Sequence, residues 1–352
     1  MSSRSDFTVV SAFAGCGGSS LGYKWAGGRV VCAIEFDRNA AETYRLNFPE
    51  TLIIERDIAT VIAGEVLSLT GMSPGQLDVL DGSPPCQGFS IAGKRQFADP
   101  RNGLFWEFVR LIEGLQPRAF VMENVSGLVK GKMKLAFQAI MQALKATGYR
   151  VRCQLLNAMW FGVPQSRERL IWIGAREDLE IEPIFPEPEA MIPLRSVVPC
   201  CASSIAYSSF SPYWRSADLP SATIRAAGPG KMSGLMIPLS GSAEWRKLQS
   251  GQKSRQYVSL QRPDPNKPCP TVTSIGSKSE SIACVTHPIE CRKFTIPELK
   301  RICSFPDDFK LRGSFGDRWR VLGNSVPPRF MRAIAECVRD TILFPDAARA
   351  VA

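Results

Sequence analysis

The sequence has few of the residues and patterns that build metal or membrane sites. It contains one histidine, His287, and none of its eleven cysteines stands in a Cys-x-x-Cys pair. Zinc sites need several such ligands at short spacing, so we expect no metal. No run of about 18 apolar residues is present, which argues against a membrane-spanning helix. Gly-Lys-Ser or Gly-Lys-Thr, the end of a nucleotide-binding P-loop, is also missing.

The N-terminal residues lack the layout of a secretory signal, with its charged start followed by an apolar stretch. We therefore expect a cytoplasmic protein with free thiols. The formal net charge of +10 fits a partner rich in phosphate groups. Charge alone fits a basic soluble protein of another kind equally well.

The first half of the chain alternates short β-branched runs with amphipathic segments. This alternation predicts an α/β fold, in which a doubly wound, mostly parallel sheet carries helices on both faces and binds ligands at the carboxyl ends of its strands. The predicted strands are 7–13, 29–35, 77–81, 118–123 and 149–156, and the predicted helices are 39–48, 102–115 and 133–147.

The alternation stops after Gly174, and five prolines between residues 180 and 199 mark a linker. Residues 200 to about 290 are rich in Ser, Pro, Gly and Lys and show no long amphipathic helix. We predict a catalytic domain over 1–179, a smaller, loop-rich domain with a hinge over 180–304, and a C-terminal segment, 305–352, that returns to the first domain. A helix is expected to begin at Pro327-Pro328 and to run through Arg339.

A glycine-rich turn follows the first predicted strand. Phe13-Ala-Gly-Cys-Gly-Gly18 opens a helix, and Glu35 ends the next strand, where an acid typically binds ribose hydroxyls. Together they predict a nucleoside-binding site. A glycine turn alone is weak support for a cofactor, and the same pattern fits a nicotinamide-dependent oxidoreductase.

Cys86 lies in Gly82-Ser-Pro-Pro-Cys-Gln-Gly-Phe-Ser90, just after the predicted strand 77–81. Most free cysteines are small buried hydrophobic residues, but a proline-rich loop belongs at the surface. The only histidine lies in the predicted second domain, so Cys86 has no histidine base near it in the sequence.

These motifs resemble those of the cytosine-5 DNA methyltransferases of bacterial restriction-modification systems. The chain carries Pro84-Pro85-Cys86-Gln87-Gly88-Phe89-Ser90, and further family motifs follow in order: 13–18, Glu35, Asp57-Ile58, 99–105, 123–125, 165–169, 292–298 with 305–307, and 323–328. The resemblance covers nearly the whole chain except about 180–290, where the family carries its variable target-recognition domain. Two departures stand out: Ser11-Ala12 replaces the usual Asp-Leu before the glycine motif, and Phe36 replaces the usual tryptophan.

The resemblance implies the Rossmann-like fold of S-adenosylmethionine-dependent methyltransferases, with S-adenosylmethionine as cofactor and double-stranded DNA as partner. Cys86 would add to carbon 6 of a flipped-out cytosine, Glu123 would share a proton with ring nitrogen 3, Arg169 would hold the ring oxygen, and Arg167 would support the pocket. We expect a monomer that lies in the bacterial cytoplasm, on the nucleoid when it binds DNA. The implied cofactor contacts are Phe13, Ala14, Gly15, Gly17, Gly18, Glu35, Phe36, Asp57, Ile58, Pro85, Leu104, Asn324 and Ser325, and the implied substrate contacts are Gln87, Ser90, Arg101, Asn124 and Gln165.

Three alternatives remain open at this point. The same chemistry on RNA is one, although the long variable segment favours DNA. An oxidoreductase would share the glycine turn but has no need for Pro-Pro-Cys. A catalytically inactive DNA-binding relative would not need Cys86, Glu123 and Arg169 together.

Overall fold

A seven-stranded sheet forms the centre of the computed structural model, which describes residues 7–85, 103–129, 134–199, 239–257, 260–277 and 284–345. The strand order is β3-β2-β1-β4-β5-β7-β6. The strands are β1 (Phe7–Ala12), β2 (Gly28–Ile34), β3 (Leu52–Ile54), β4 (Val79–Gly82), β5 (Ala119–Val125), β6 (Tyr149–Asn157) and β7 (Glu168–Arg176).

The first five strands are parallel, whereas β7 runs antiparallel to both β5 and β6. The prediction of a mostly parallel α/β sheet is confirmed, and each predicted strand has a counterpart. The described α-helices are α1 (Gly18–Trp25), α2 (Arg38–Asn47), α3 (Ala63–Thr70), α4 (Gly103–Leu115), α5 (Lys134–Ala146), α6 (Leu239–Lys247), α7 (Ile296–Ile302), α8 (Phe315–Asn324) and α9 (Pro328–Val338).

Both faces of the sheet are covered, because its central strands are apolar on both sides. On one face, Leu80, Phe120 and Trp172 pack in a core that includes residues of α4 and α5. On the other face, Val9 and Val121 pack in a core with apolar residues of α9. Burial on two faces explains why these strands read as nearly continuous apolar runs.

The carboxyl ends of the parallel strands bring the predicted motifs to one edge of the sheet. The glycine turn follows β1, Glu35 follows β2, Asp57 follows β3 and Pro85 follows β4. Glu123 lies near the carboxyl end of β5. Because β7 is antiparallel to β5, it begins at the same edge of the sheet. The fold therefore places the sites that the sequence separates side by side.

Residues after 193 contribute a third core. Leu194, Cys269 and Phe294 pack with Cys16 and Tyr44 of the glycine turn and α2. A small separate cluster joins Trp245 of α6 to Leu248 and Leu260, and the guanidinium of Arg262 lies 4.3 Å from the ring centre of Trp245. The helix α6 is nine residues long. The prediction of a region without a long helix also covers residues 200–238, which lie outside the described residues.

Neither a membrane-spanning helix nor a metal-binding group is found within the part of the chain that the structure describes. None of the described helices is long and apolar enough to cross a bilayer. No group of three or more His, Cys, Asp or Glu residues in the described ranges could hold a metal ion. The eight described cysteines are all free thiols.

Candidate active site

An ion pair joins β5 to β7 at the edge where the predicted motifs meet. Arg169 Nε lies 2.6 Å from Glu123 Oε1, and about a tenth of each side chain is exposed. The two residues are brought together by the strand register, in which Glu123 pairs with Ile171 and Val125 pairs with Arg169. The predicted proton-sharing acid and the predicted ring-oxygen ligand thus lie in direct contact.

The chain that leads to Cys86 is anchored to the end of β5. Asn124 Nδ2 donates a hydrogen bond of 2.9 Å to the carbonyl oxygen of Pro84, and both residues are buried. The Asn124 side chain is itself fixed, because its Oδ1 accepts a bond of 2.8 Å from the backbone N–H of Val125. Cys86, Gln87, Ser90 and Arg101 lie outside the described residues, whereas Pro85 is described and exposed.

A cleft of about 440 Å³ opens beside the ion pair, and we call it the Arg169 cleft. One wall belongs to the ends of β5 and β7, and the other belongs to a segment from the second half of the chain. Polar side chains and prolines line it: Ser126, Ser166, Glu168, Arg169, Pro268, Pro270 and Thr271. This size and lining suit a ring-shaped polar ligand.

Backbone and side-chain bonds hold the second wall of the Arg169 cleft in place. The N–H of Ser166 donates to the carbonyl oxygen of Cys269 at 2.7 Å, and the hydroxyl of Thr271 donates to the carbonyl oxygen of Ser166 at 2.7 Å. Gln165 is fully buried, and its amide contacts Cys303 Sγ at 3.4 Å and the N–H of Val272 at 3.3 Å. The observed bonds of Gln165 support this wall, and its contact with substrate stays a prediction.

Arg167 lies buried behind Arg169. Its Nη1 donates to the carbonyl oxygen of Val272 at 3.1 Å, so it also holds the second wall. Burial, together with the neighbouring positive charge of Arg169, lowers the pKa of Arg167 to about 10. The guanidinium therefore stays charged at neutral pH, which adds to the positive potential behind the cleft.

The glycine turn is tied to the acid that ends β2. Glu35 accepts two backbone bonds of 2.7 Å, one from the N–H of Gly15 to Oε2 and one from the N–H of Asp37 to Oε1. Burial raises the pKa of Glu35, against the lowering effect of these N–H groups. The turn needs glycine because φ is +57° at Gly15 and +94° at Gly17.

Open space and an exposed aromatic ring surround this turn. A Cβ atom added at Gly15 would have no heavy atom within 4 Å, and Phe36 is 75% exposed although it is a large apolar side chain. Asp57 is exposed and caps a short 3-10 turn, where its carboxylate accepts from the N–H of Ala59 at 3.0 Å. Ile58 is buried below it. These groups fit a nucleoside: a ring can stack on Phe36, and ribose and amino groups can reach the carboxylates.

The C-terminal helices complete the same site. A Cβ atom at Gly18 would overlap the carbonyl oxygen of Val326, so the turn packs closely on the chain just after Ser325. Asn324 is exposed at the end of α8. Arg320, one turn earlier, forms an ion pair of 2.9 Å with Asp37, the residue whose N–H binds Glu35.

The remaining predicted cofactor residues lie around the turn. Phe13 has φ of +56°, which is uncommon for a residue with a side chain. Ala14 is buried, and Leu104 in α4 is half-buried against the core of that face. The sequence interpretation missed Arg320, because no local pattern links a residue in α8 to one after β2.

Comparison with known proteins identifies the family. The family model for C-5 cytosine-specific DNA methylases matches residues 7–339 of the chain. The chain belongs to this family. It is 34% identical to the Type II methyltransferase M.Sau96I of Staphylococcus aureus over 94% of this chain and 75% of that protein. It is 30% identical to M.NgoPII of Neisseria gonorrhoeae, over 95% of this chain and 96% of that protein.

Solved structures support the fold. An Escherichia coli prophage protein described as a DNA modification methyltransferase superposes with a TM-score of 0.73 at 24% identity, over 96% of this chain and 99% of that one. Spodoptera frugiperda DNMT2 superposes with a TM-score of 0.66 at 19% identity, over 94% and 99%. At these identities the likeness extends to the fold alone, which is the α/β methyltransferase fold expected from the sequence.

Proposed function

We propose that this cytosine-5 DNA methyltransferase takes a methyl group from S-adenosylmethionine and transfers it to carbon 5 of cytosine within a specific double-stranded DNA sequence. The observation that carries the proposal is the contact of Glu123 with Arg169, next to Asn124, which anchors the chain at Pro84, two residues before Cys86. An oxidoreductase has no use for this arrangement. The family match to DNA methylases supports DNA over RNA as the substrate.

Each reacting group has one task in this proposal. The Cys86 thiolate adds to carbon 6 of cytosine, which breaks the 5,6 double bond and makes carbon 5 nucleophilic. Glu123 shares a proton with ring nitrogen 3 and draws electron density towards it, and Arg169 binds the ring oxygen by a charged hydrogen bond. After transfer, loss of the carbon 5 proton and of the thiolate restores the aromatic ring.

Glu123 and Arg169 are prepared for this step by their mutual contact. Each holds the other in place, so a base that enters the Arg169 cleft meets groups that are already oriented. Arg167 acts behind them as a support, through its bond to the backbone of Val272.

The glycine turn and its neighbours are proposed to hold S-adenosylmethionine, which supplies the methyl group. Phe36 would stack on adenine, Glu35 would accept from the ribose hydroxyls through its remaining lone pairs, and Asp57 would bind the adenine amino group. The other proposed contacts are Phe13, Ala14, Gly15, Gly17, Gly18, Ile58, Pro85, Leu104, Asn324 and Ser325.

The target cytosine is proposed to rotate out of the duplex into the Arg169 cleft, at a cost of a few kcal/mol. Gln87, Ser90, Arg101, Asn124 and Gln165 are the proposed substrate contacts. We assign catalysis to 1–179 with 305–352, and sequence recognition to 180–304. The enzyme is proposed to act as a monomer.

Trapping on 5-fluorocytosine tests the covalent step, because fluorine at carbon 5 blocks the final elimination. The enzyme should form an adduct with fluorinated duplex DNA that survives denaturing electrophoresis, and Cys86→Ala should form none. Fluorinated single-stranded RNA of the same sequence serves as the comparison. Adduct formation on RNA but not on DNA would contradict the proposed substrate.

A further inference from the structure

A carboxyl group lies buried beneath the active site, between the strands that carry its two loops. Asp81 is 2% exposed and pairs with Ser11 across β4 and β1 in the strand register. The structure places it in neither the cofactor site nor the Arg169 cleft, so neither substrate contact nor cofactor contact explains it.

Hydroxyl groups from β1 and α1 surround this carboxyl. Ser11 Oγ donates to Asp81 Oδ2 at 3.2 Å, and the hydroxyl of Tyr23 donates to Asp81 Oδ1 at 3.5 Å. Ser11 and Tyr23 are both fully buried. Ser19 in α1 presents a further buried hydroxyl that lowers the pKa of Asp81. The carboxyl thus joins three elements: β1, β4 and α1.

Each of these elements leads directly into the active site. Ser11 lies two residues before Phe13, and α1 begins at Gly18 of the glycine turn. Asp81 lies in β4, just before the Ser83–Pro85 segment that Asn124 anchors. A single side chain therefore links the base of the glycine turn to the base of the Ser83–Pro85 segment.

This carboxyl lies next to a position at which the sequence departs from the family pattern. Members of the family usually carry Asp where this chain has Ser11. Because Ser11 and Asp81 pair across neighbouring strands, an acid on β1 and an acid on β4 can reach the same buried space. In this chain the carboxyl lies on β4, and the hydroxyl of Ser11 on β1 binds it.

The surroundings of Asp81 disfavour its ionised form. No ion pair joins it to a cation among the residues that the structure describes, and the charged or titratable groups that act on it are Glu123, Tyr23 and Tyr44. A buried charge without a cation is costly, and hydroxyl donors offset only part of that cost. Burial raises the pKa of Asp81 to about 7.

We propose that Asp81 is a positioning residue that braces the glycine turn against the Ser83–Pro85 segment. This inference rests on the proposed function, because the two loops matter only if the chain binds a methyl donor and a base. Ionisation of Asp81 would place an uncompensated charge between the strands and loosen the glycine turn and the Ser83–Pro85 segment.

A carboxyl exchange between the two strands tests the bracing role. Asp81→Ser should weaken S-adenosylmethionine binding about 10-fold at pH 6, where the wild-type carboxyl is mostly neutral, because the buried hydroxyls lose their acceptor. The double variant Ser11→Asp with Asp81→Ser restores a carboxyl on β1 and should bind within about 3-fold of wild type. The rate of adduct formation on 5-fluorocytosine DNA should fall and recover with the same variants. A double variant that is no better than Asp81→Ser would overturn the proposal.

The pH dependence distinguishes a neutral brace from a merely structural residue. The native pKa of about 7 lies above the unfolded value of about 3.9, so the native state binds the extra proton in between. The free energy of unfolding should therefore fall as the pH rises from about 4 to about 7. Asp81→Asn keeps the shape but cannot ionise, so its melting temperature should rise relative to wild type as the pH increases from 5 to 7.5.

Glu35 also has a raised pKa and contributes in the same direction, but it is common to both proteins and cancels in the comparison. Cofactor affinity of the wild type should likewise weaken through pH 7, whereas that of Asp81→Asn should not. A difference in melting temperature between the two proteins that stays the same at every pH would overturn the neutral brace. A wild type that binds no S-adenosylmethionine would instead refute the proposed function, and the melting experiments would still decide the state of Asp81.

Discussion

Asn124 anchors the carbonyl oxygen of Pro84 at 2.9 Å, while its neighbour Glu123 contacts Arg169 at 2.6 Å. Because successive side chains of a strand point to opposite faces, these consecutive residues at the end of β5 contact different neighbours. Asn124 holds the chain that leads to Cys86, and Glu123 forms an ion pair with Arg169, which lines the Arg169 cleft. The end of β5 thus fixes both the Pro84 carbonyl and the Arg169 guanidinium.

Glu123→Gln should lower the rate of methyl transfer at saturating DNA about 100-fold, because the amide cannot share a proton with the ring in the same way. The loss of the Arg169 partner should also lower the melting temperature. Single-turnover kinetics measure the first effect. Glu113→Gln, which alters an exposed carboxylate on α4 that does not line the cleft, is the control and should stay near wild type. Equal losses in both variants would contradict the role of Glu123.

Asn124→Ala should slow adduct formation about 10-fold, because the Pro84 carbonyl loses its donor and the cysteine loop loses its anchor. Affinity for S-adenosylmethionine should change little, since Asn124 makes no described contact with the glycine turn. The two quantities are measured by gel trapping and by calorimetry. A variant that loses cofactor affinity but keeps its rate of trapping would show that the anchor has another purpose.

Phe36→Ala should weaken S-adenosylmethionine binding about 5-fold, because one aromatic stacking contact is worth about 0.5–1.5 kcal/mol. The melting temperature without cofactor should stay the same, since the ring is 75% exposed. Leu46→Ala removes another exposed apolar side chain, at the far end of α2, and should leave binding unchanged. Equal affinities for the wild type and Phe36→Ala would remove the ring from the adenine site.

Replacement of Lys247, Lys253 and Arg255 by Gln should reduce the salt dependence of DNA binding. The three cations are exposed on the stretch that the Trp245 cluster supports. Each phosphate contact that is lost should lower the slope of log K against log salt by about 0.9. The methylated sequence should not change, since phosphates carry no sequence information. Fluorescence anisotropy over a salt series measures the slope.

A matched control for that experiment lies at the opposite edge of the sheet. Lys24, Arg29 and Lys145 are also two lysines and one arginine, all exposed, and they lie near the ends of α1 and α5 and at the start of β2. Their replacement by Gln should leave the slope unchanged. The same loss of slope in both triple variants would show that binding depends only on total charge.

The sequence predicts the fold well because its strands and helices are long and periodic. The exceptions have physical reasons. β3 has three residues, which are too few to show a periodic pattern. The first residues of β7 belong to the 165–169 motif, so the sequence does not show where this strand begins.

The site is predicted less completely, because its supports come from distant parts of the chain. The hydrogen bond from the N–H of Gly15 to Glu35 follows from the motif order, since the two residues come just after the neighbouring strands β1 and β2. The ion pair of Arg320 with Asp37 does not, because it joins residues 283 positions apart. Gln165 carries a family motif, yet only the structure shows that its amide holds Cys303 and Val272.

Bisulfite sequencing tests the central claim most directly. DNA from cells that express the wild type should contain one short sequence in which a single cytosine is protected at nearly every site, because methylation at carbon 5 blocks deamination. DNA from cells that express Cys86→Ala at an equal level should show no such protection. An unprotected genome with the folded wild type, or equal protection with both proteins, would contradict cytosine-5 methylation through Cys86.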